Sequence, residues 1–205
     1  MRSNDFLFFI QEANKPKSNK PDLSKIYYIK AAHGPGEPEV YNSVLEWNGK
    51  KYRVRVEVLI YDKKNKAVMI KPSDKPTKGA YYGVNYRIPG GSTEPGKKLE
   101  DQAKAECKEE IRANIKNCKY SNIWYTSKYD PNTIPEWQRE HLWPIGLKYY
   151  GAIILVFTAE YNGRYSGKIN DWDKDDMING ICWKSVDDVE WHPAHRKALK
   201  KIGIL

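Results

Sequence analysis

Long apolar runs are scarce in this chain of 205 residues. The apolar segment at residues 6–10 is far shorter than the roughly 20 residues that a membrane-spanning helix requires. It is also too short for the apolar region of a secretory signal peptide. We therefore expect neither a membrane partner nor export.

Cysteine is equally scarce, and its arrangement excludes a disulfide framework. The three cysteines are Cys107, Cys118 and Cys182. An odd count cannot pair completely, and the spacing matches no metal-binding pattern. Buried, reduced thiols are typical of proteins from a reducing compartment. The sequence thus predicts a cytoplasmic location.

Positive charge and aromatic side chains are what the chain has in excess. It carries 35 Lys and Arg against 26 Asp and Glu, a formal net charge of +9, together with 15 Tyr and 7 Trp. This balance favours acidic partners such as nucleotides or RNA, although basic charge often serves only solubility. The length suits one domain with appendages, or at most two small domains.

The hydrophobic pattern predicts a strand-rich domain with few helices. Residues 52–61 alternate and then become apolar throughout, as a strand that enters a core does. Asn48 and Gly49 form a strong hairpin-turn signal. Further strands are predicted at residues 67–70, 82–88, 121–125, 149–157 and 181–183, with short helices at 185–189 and 193–202. We interpret residues 1–48 as a β-rich N-terminal extension and residues 49–205 as the main domain. That domain carries a long loop insertion near residues 127–148, and loops of this length are usually functional.

The most informative stretch is a glycine turn at residues 89–97, which leads into a predicted helix at 99–112. On that helix Glu106, Glu109 and Glu110 share an arc of about 100°. An adjoining apolar stripe, which would pack on a sheet, consists of Leu99, Ala103, Cys107 and Ile111. Carboxylates crowded beside a buried stripe repel one another unless a cation neutralises them. Hard oxygen donors in this arrangement suit Mg²⁺ or Mn²⁺.

Residues 91–112 resemble the Nudix box of the Nudix hydrolases. In that pattern a Gly is followed six residues later by Glu, and then by Arg-Glu-apolar-any-Glu-Glu-any-Gly. The resemblance implies a Nudix-type α/β/α sandwich with a mixed central sheet. It implies that the Gly91 carbonyl, Glu106, Glu109 and Glu110 bind the metal, and that Glu109 and Glu106 are catalytic. Glu109 is the preferred general base; the loop alternatives are Glu136, Glu140, Asp175 and Asp176.

Three positions depart from the family pattern. Lys97 stands where the pattern has its first Glu, Ala105 where it has Arg, and Arg112 where it has the final Gly. In the family, that Arg orients the glutamate that follows it. The departures therefore leave a second function open, in which a Nudix fold binds or senses a nucleotide with weakened catalysis.

The resemblance implies a Mg²⁺-dependent pyrophosphohydrolase that cleaves a nucleoside diphosphate linked to another moiety, such as a nucleotide sugar, a dinucleotide or a nucleoside triphosphate. A metal ion would assist the attack of water on the diphosphate. RNA 5′ ends are a weaker alternative substrate, based on the +9 charge and the aromatic loop. An exposed edge strand of the extension would allow a homodimer to form by strand pairing.

Substrate contacts are ranked by their position in the predicted fold. Arginines on strands near the site can clamp phosphates, and aromatic rings can stack on a base. The chosen residues are Arg53, Tyr86, Arg87 and Trp137; each could instead be an ordinary surface or packing residue. His192 and His195 are interpreted as the surface start of the terminal helix rather than as a metal-binding pair.

Overall fold

The computed structural model of the chain describes residues 20–72, 86–111, 113–129, 132, 139, 143–162, 182–189 and 191–205. In these ranges the strands are β1 (Tyr27–Ala31), β2 (Val40–Trp47), β3 (Lys50–Asp62), β4 (Ala67–Pro72), β5 (Tyr86–Arg87), β6 (Gly90–Ser92), β7 (Ile115–Lys128), β8 (Gly151–Tyr161) and β9 (Cys182–Ser185). The helices are α1 (Leu99–Ile111) and α2 (Pro193–Lys201), and short 3₁₀ turns span Leu23–Lys25 and Val186–Asp188.

Strand β3 is the centre of the sheet. Along one edge it pairs in parallel with β8, from Tyr52 opposite Gly151 to Tyr61 opposite Glu160. Its other edge pairs antiparallel with three strands in succession, which are β2, β6 and β4. Strand β7 lies antiparallel beside β8, β9 beside β4, and β1 beside β2. The short glycine strand β6 thus occupies the middle of the sheet, between two hairpins.

Alternation along β3 builds one core layer on each face of the sheet, because successive strand side chains point to opposite faces. Val54, Val56 and Val58 pack with the buried stripe of α1, which is Ala103, Cys107 and Ile111. Leu59 and Tyr61 pack with Ala198 and Leu199 of α2. Each fully buried aliphatic side chain contributes about 1.5–3 kcal/mol. The two layers confirm the predicted α/β sandwich with a mixed sheet.

The predicted hairpin after β2 is confirmed, and one strand prediction was too short. Asn48 and Gly49 have positive φ angles of 52° and 71°, which a tight two-residue turn needs. Strand β7 was predicted only at residues 121–125. Its pairing with β8 shifts register twice, and Asn117 and Asn122 have positive φ near those shifts. Such bulges interrupt the alternation of side chains between the two faces of a strand. The sequence pattern therefore predicted only part of β7.

None of the helices in the described ranges is both long enough and apolar enough to cross a membrane.

Candidate active site

The glycine turn is held in place by the backbone of β3. Gly91 lies opposite Val56 and Gly90 opposite Glu57. The Val58 N–H donates to the Pro89 carbonyl at 2.9 Å. A β-carbon at Gly90 would overlap the main chain of β3. Glycine is therefore required here for the close approach of two backbones.

Two of the predicted metal-binding glutamates reach this turn from α1. The Gly90 N–H donates to Glu110 Oε2 at 3.0 Å. The Glu106 carboxylate lies directly over Gly91, since a β-carbon there would collide with both of its oxygens. Gly90 thus binds one carboxylate through its N–H, and Gly91 leaves room for the other.

The Glu106 carboxylate is partly buried and lies near two other carboxylates. Burial raises its pKa most, and the Glu110 and Glu109 charges raise it further. A hydrogen bond from Gln102 Nε2 to Glu106 Oε1, 2.7 Å long, and the Arg55 charge act in the opposite direction without cancelling the rise. A positive charge placed beside Glu106 would therefore stabilise its ionised form.

Lys97, which stands where the family pattern has Glu, lies at the edge of this acidic group. Its Nζ forms an ion pair of 2.7 Å with Glu94 Oε2. The hydrogen bond with Glu94 raises the pKa of Lys97 most, and the charges of Glu109 and Glu106 add to the rise. Glu109 itself is exposed on α1. Lys97 thus places a positive charge near the carboxylates of Glu109 and Glu106.

The donor set fits a hard divalent cation. In the part of the chain that the structure describes, no three His, Cys, Asp or Glu side chains converge closely enough to hold a metal ion. Glu106 and Glu110 nevertheless contact adjacent glycines, and burial, together with the Glu110 and Glu109 charges, raises the pKa of Glu106. Oxygen donors of this kind suit Mg²⁺ or Mn²⁺. Glu109 is solvent-exposed and so can change rotamer at little cost.

Sequence reasoning missed a buried carboxylate beside the turn. Glu57, on β3 opposite Gly90, is only 4% exposed. Its Oε2 lies 2.8 Å from His195 Nε2 and accepts a 2.6 Å hydrogen bond from the Tyr125 hydroxyl. Burial alone would raise the pKa of Glu57, but the His195 contact, with help from Tyr125 and Arg55, holds it below its usual value. The sequence did contain one indication of this buried group, because Glu57 is an acidic residue within the apolar end of β3.

The placement of His195 on the surface was wrong. The helix start is confirmed, because His192 caps α2 by accepting the Ala194 N–H at Nδ1, 3.2 Å away. His195, however, is only 9% exposed. With Ala198 and Leu199 it forms the buried face of α2, at the i, i+3, i+4 spacing that a helix uses to contact a sheet.

Arg55, on β3, reaches the turn, with Nη2 3.5 Å from the Gly90 carbonyl oxygen. Arg53 lies two residues earlier on the same face of β3, where its charge acts on Tyr129 and Tyr149. Tyr86 and Arg87 form β5, but their side chains lie outside the described part of the structure. Trp137 and the loop carboxylates lie outside the described residues as well; these carboxylates are Glu136, Glu140, Asp175 and Asp176. The substrate assignments therefore stay predictions.

Comparison with known proteins identifies the family. The profile of the NUDIX domain matches residues 51–202, most of the chain, and the protein therefore belongs to this family. A comparison with curated proteins finds no match. Among the solved structures that are similar at low identity are three hydrolases. A NUDIX hydrolase from Nitrosomonas europaea is 15% identical, with 74% of this chain and 88% of that chain covered and a TM-score of 0.47. A pyrophosphohydrolase from Bacillus subtilis is 16% identical, with 86% of this chain and 95% of that chain covered and a TM-score of 0.45. A MutT NUDIX hydrolase from Burkholderia pseudomallei is 15% identical, with 73% of this chain and 97% of that chain covered and a TM-score of 0.48.

Proposed function

We propose that this protein is a Mg²⁺- or Mn²⁺-dependent pyrophosphohydrolase. Its substrate would be a nucleoside diphosphate linked to another moiety, as in a nucleotide sugar, a dinucleotide or a nucleoside triphosphate. The observation that carries the proposal is the approach of Glu106 and Glu110 to two consecutive glycines of the turn. The family membership supports the same chemistry.

The residues around the glycine turn would have three roles, which are cation binding, phosphate binding and proton transfer. Glu106, Glu109, Glu110 and the Gly91 carbonyl would hold the cation, which when bound supplies positive charge that offsets the charge on the phosphate oxygens. Arg55, whose guanidinium lies beside Gly90, would bind a phosphate oxygen. The exposed Glu109 would take the proton from the water that attacks phosphorus, while the anhydride P–O bond breaks.

The decisive experiment is a substrate screen with matched variants. The purified chain is incubated with Mg²⁺ or Mn²⁺ and nucleotide sugars, dinucleoside polyphosphates, nucleoside triphosphates or capped RNA. Glu109→Gln and Glu110→Gln should each lower kcat by about 100-fold or more. Glu100→Gln, an exposed carboxylate in the first turn of the same helix, should leave it unchanged. Absence of turnover on every substrate, or full activity in both site variants, would refute the proposal.

The second candidate function is a nucleotide-binding or sensing module with weakened catalysis. It is favoured by Lys97 beside the acidic cluster and by Ala105 in the position of the family Arg. A nucleotide that raises the thermal unfolding midpoint without being cleaved would support it. Rapid hydrolysis of any substrate would exclude it.

RNA 5′ ends remain a narrower version of the first proposal. The net charge of +9 is what favours them. Because binding to a polyphosphate backbone releases counterions, affinity for RNA should fall steeply as salt rises. Affinity that does not depend on salt would remove RNA from the substrate list.

A further inference from the structure

Helix α1 buries one polar side chain among its apolar contacts with the sheet. Gln102 is 1% exposed, and the other buried residues of the helix are Ala103, Cys107 and Ile111. Burying an amide is unfavourable unless it forms hydrogen bonds. An apolar residue would satisfy packing at this position without that cost, so packing alone does not account for glutamine here.

The hydrogen bonds of Gln102 are one-sided. Its Nε2 donates to Glu106 Oε1 at 2.7 Å, whereas its own Oε1 is buried and has no hydrogen-bond partner among the residues that the structure describes. The two residues are four positions apart, so their side chains lie on neighbouring turns of one helix face. An ionised carboxylate only accepts hydrogen bonds, which requires the NH₂ side of the amide to face it.

We propose that Gln102 is a positioning residue for Glu106 and takes over the orienting role of the arginine that is replaced by Ala105. The amide holds Oε1 over the glycine turn and leaves Oε2 outside this hydrogen bond, available to a divalent cation. Because the amide is neutral, it orients the carboxylate without adding a positive charge that would compete with the ion. This inference rests on the proposed function for its use of the cation.

The test measures cation affinity without any substrate. The Mn²⁺ dissociation constant of the full-length chain is determined by titration calorimetry and by electron paramagnetic resonance. Gln102→Met keeps the length of the side chain and the helix propensity but removes the donor. Loss of a residue that orients a metal ligand typically weakens metal binding by about 10- to 100-fold, and we expect a loss in this range.

Cys107→Ala is the matched control, because Cys107 is also fully buried on α1 and contributes to its packing. It should lower the thermal unfolding midpoint while leaving Mn²⁺ affinity within twofold of the parent. If Gln102→Met also stays within twofold, or if Cys107→Ala weakens Mn²⁺ equally, Gln102 serves packing only and the inference is overturned.

If the Gln102→Met variant does not fold, a second measurement on the parent chain tests the inference. In the ¹⁵N-labelled parent chain, adding Mg²⁺ should shift the side-chain amide resonance of Gln102, and an unchanged resonance would overturn the inference. The two proposals fail separately. Weakened Mn²⁺ binding in Gln102→Met with no substrate cleaved refutes only the enzymatic function. Hydrolysis that depends on Glu109 but not on Gln102 refutes only the positioning role.

Discussion

His195 Nε2 lies 2.8 Å from Glu57 Oε2, although the two residues are 138 positions apart in the chain. The contact joins the C-terminal helix α2 to β3 at the residue that pairs with Gly90. The Tyr125 hydroxyl, from β7, donates to the same oxygen at 2.6 Å. Three distant segments therefore meet at the β3 residue that pairs with the glycine turn.

Breaking that contact from one side should destabilise the fold strongly. His195→Leu leaves the Glu57 carboxylate buried without its main partner, which typically costs about 3–5 kcal/mol of unfolding free energy. Urea unfolding measures the loss. The double variant Glu57→Leu with His195→Leu should lose less than His195→Leu alone, because it leaves no uncompensated charge. A double variant less stable than either single variant would contradict this account of the pair.

Stability should fall between neutral and mildly acidic pH, and His192 should contribute to the fall. Burial and then the His195 charge lower the pKa of His192 from 6.5 to about 4, against an opposing effect of Glu57. A lowered pKa means that the unfolded chain binds more protons in this interval, so the folded state loses stability as pH falls from about 6.5 towards 4. Protonation also removes the Nδ1 acceptor that caps α2.

The matched variant is His192→Asn, because asparagine is a good N-cap that does not titrate. We expect the unfolding free energy of this variant, measured by urea denaturation at several pH values, to depend less steeply on pH in that interval. Glu57 has a lowered pKa as well, so its stabilisation is lost only at lower pH, as its own carboxylate takes up a proton. If the unfolding free energy of His192→Asn depends on pH as steeply as that of the parent, titratable groups other than His192 cause the loss of stability.

Gly91→Ala should disrupt the site while preserving the fold. The added methyl group would occupy the position of the Glu106 carboxylate. Displacing this carboxylate should weaken Mn²⁺ binding by at least about tenfold, because a metal ligand that is wrongly oriented typically costs this much affinity. Calorimetry gives the affinity and circular dichroism the folded state. Ser92→Ala, one residue further along β6, should bind Mn²⁺ normally; equal affinity in Gly91→Ala would exclude Glu106 as a ligand in this position.

Lys97→Glu should strengthen cation binding modestly. It removes a positive charge close to Glu109 and Glu106 and restores the acidic residue of the family pattern. Because Lys97 is exposed, the gain should be about two- to fivefold in Mn²⁺ affinity, in the range of surface charge pairs. It should also shrink at high salt. Lys108→Glu makes the same change of charge at an exposed position of α1 and should have a smaller effect. Equal gains from both variants would indicate a net-charge effect only.

Local signals were sufficient for much of the scaffold. The glycine turn followed by a helix, the Asn48–Gly49 hairpin and the α2 start before Pro193 were each predicted from neighbouring residues. These features depend on interactions within a few positions of the chain. A turn requires residues that tolerate positive φ, and a helix face requires apolar residues at i, i+3 and i+4.

Sequence by itself therefore determined the family, the helix that carries Glu106, Glu109 and Glu110, and the residue types available for a metal site. Only the tertiary structure decided which polar groups are buried against that site. The Glu57–His195 contact and the parallel pairing of β3 with β8 join segments far apart in the chain, and no local period encodes such pairings. Gln102 carried no signal either, because its significance depends on burial and on a hydrogen bond to Glu106 that appear only when α1 packs on the sheet.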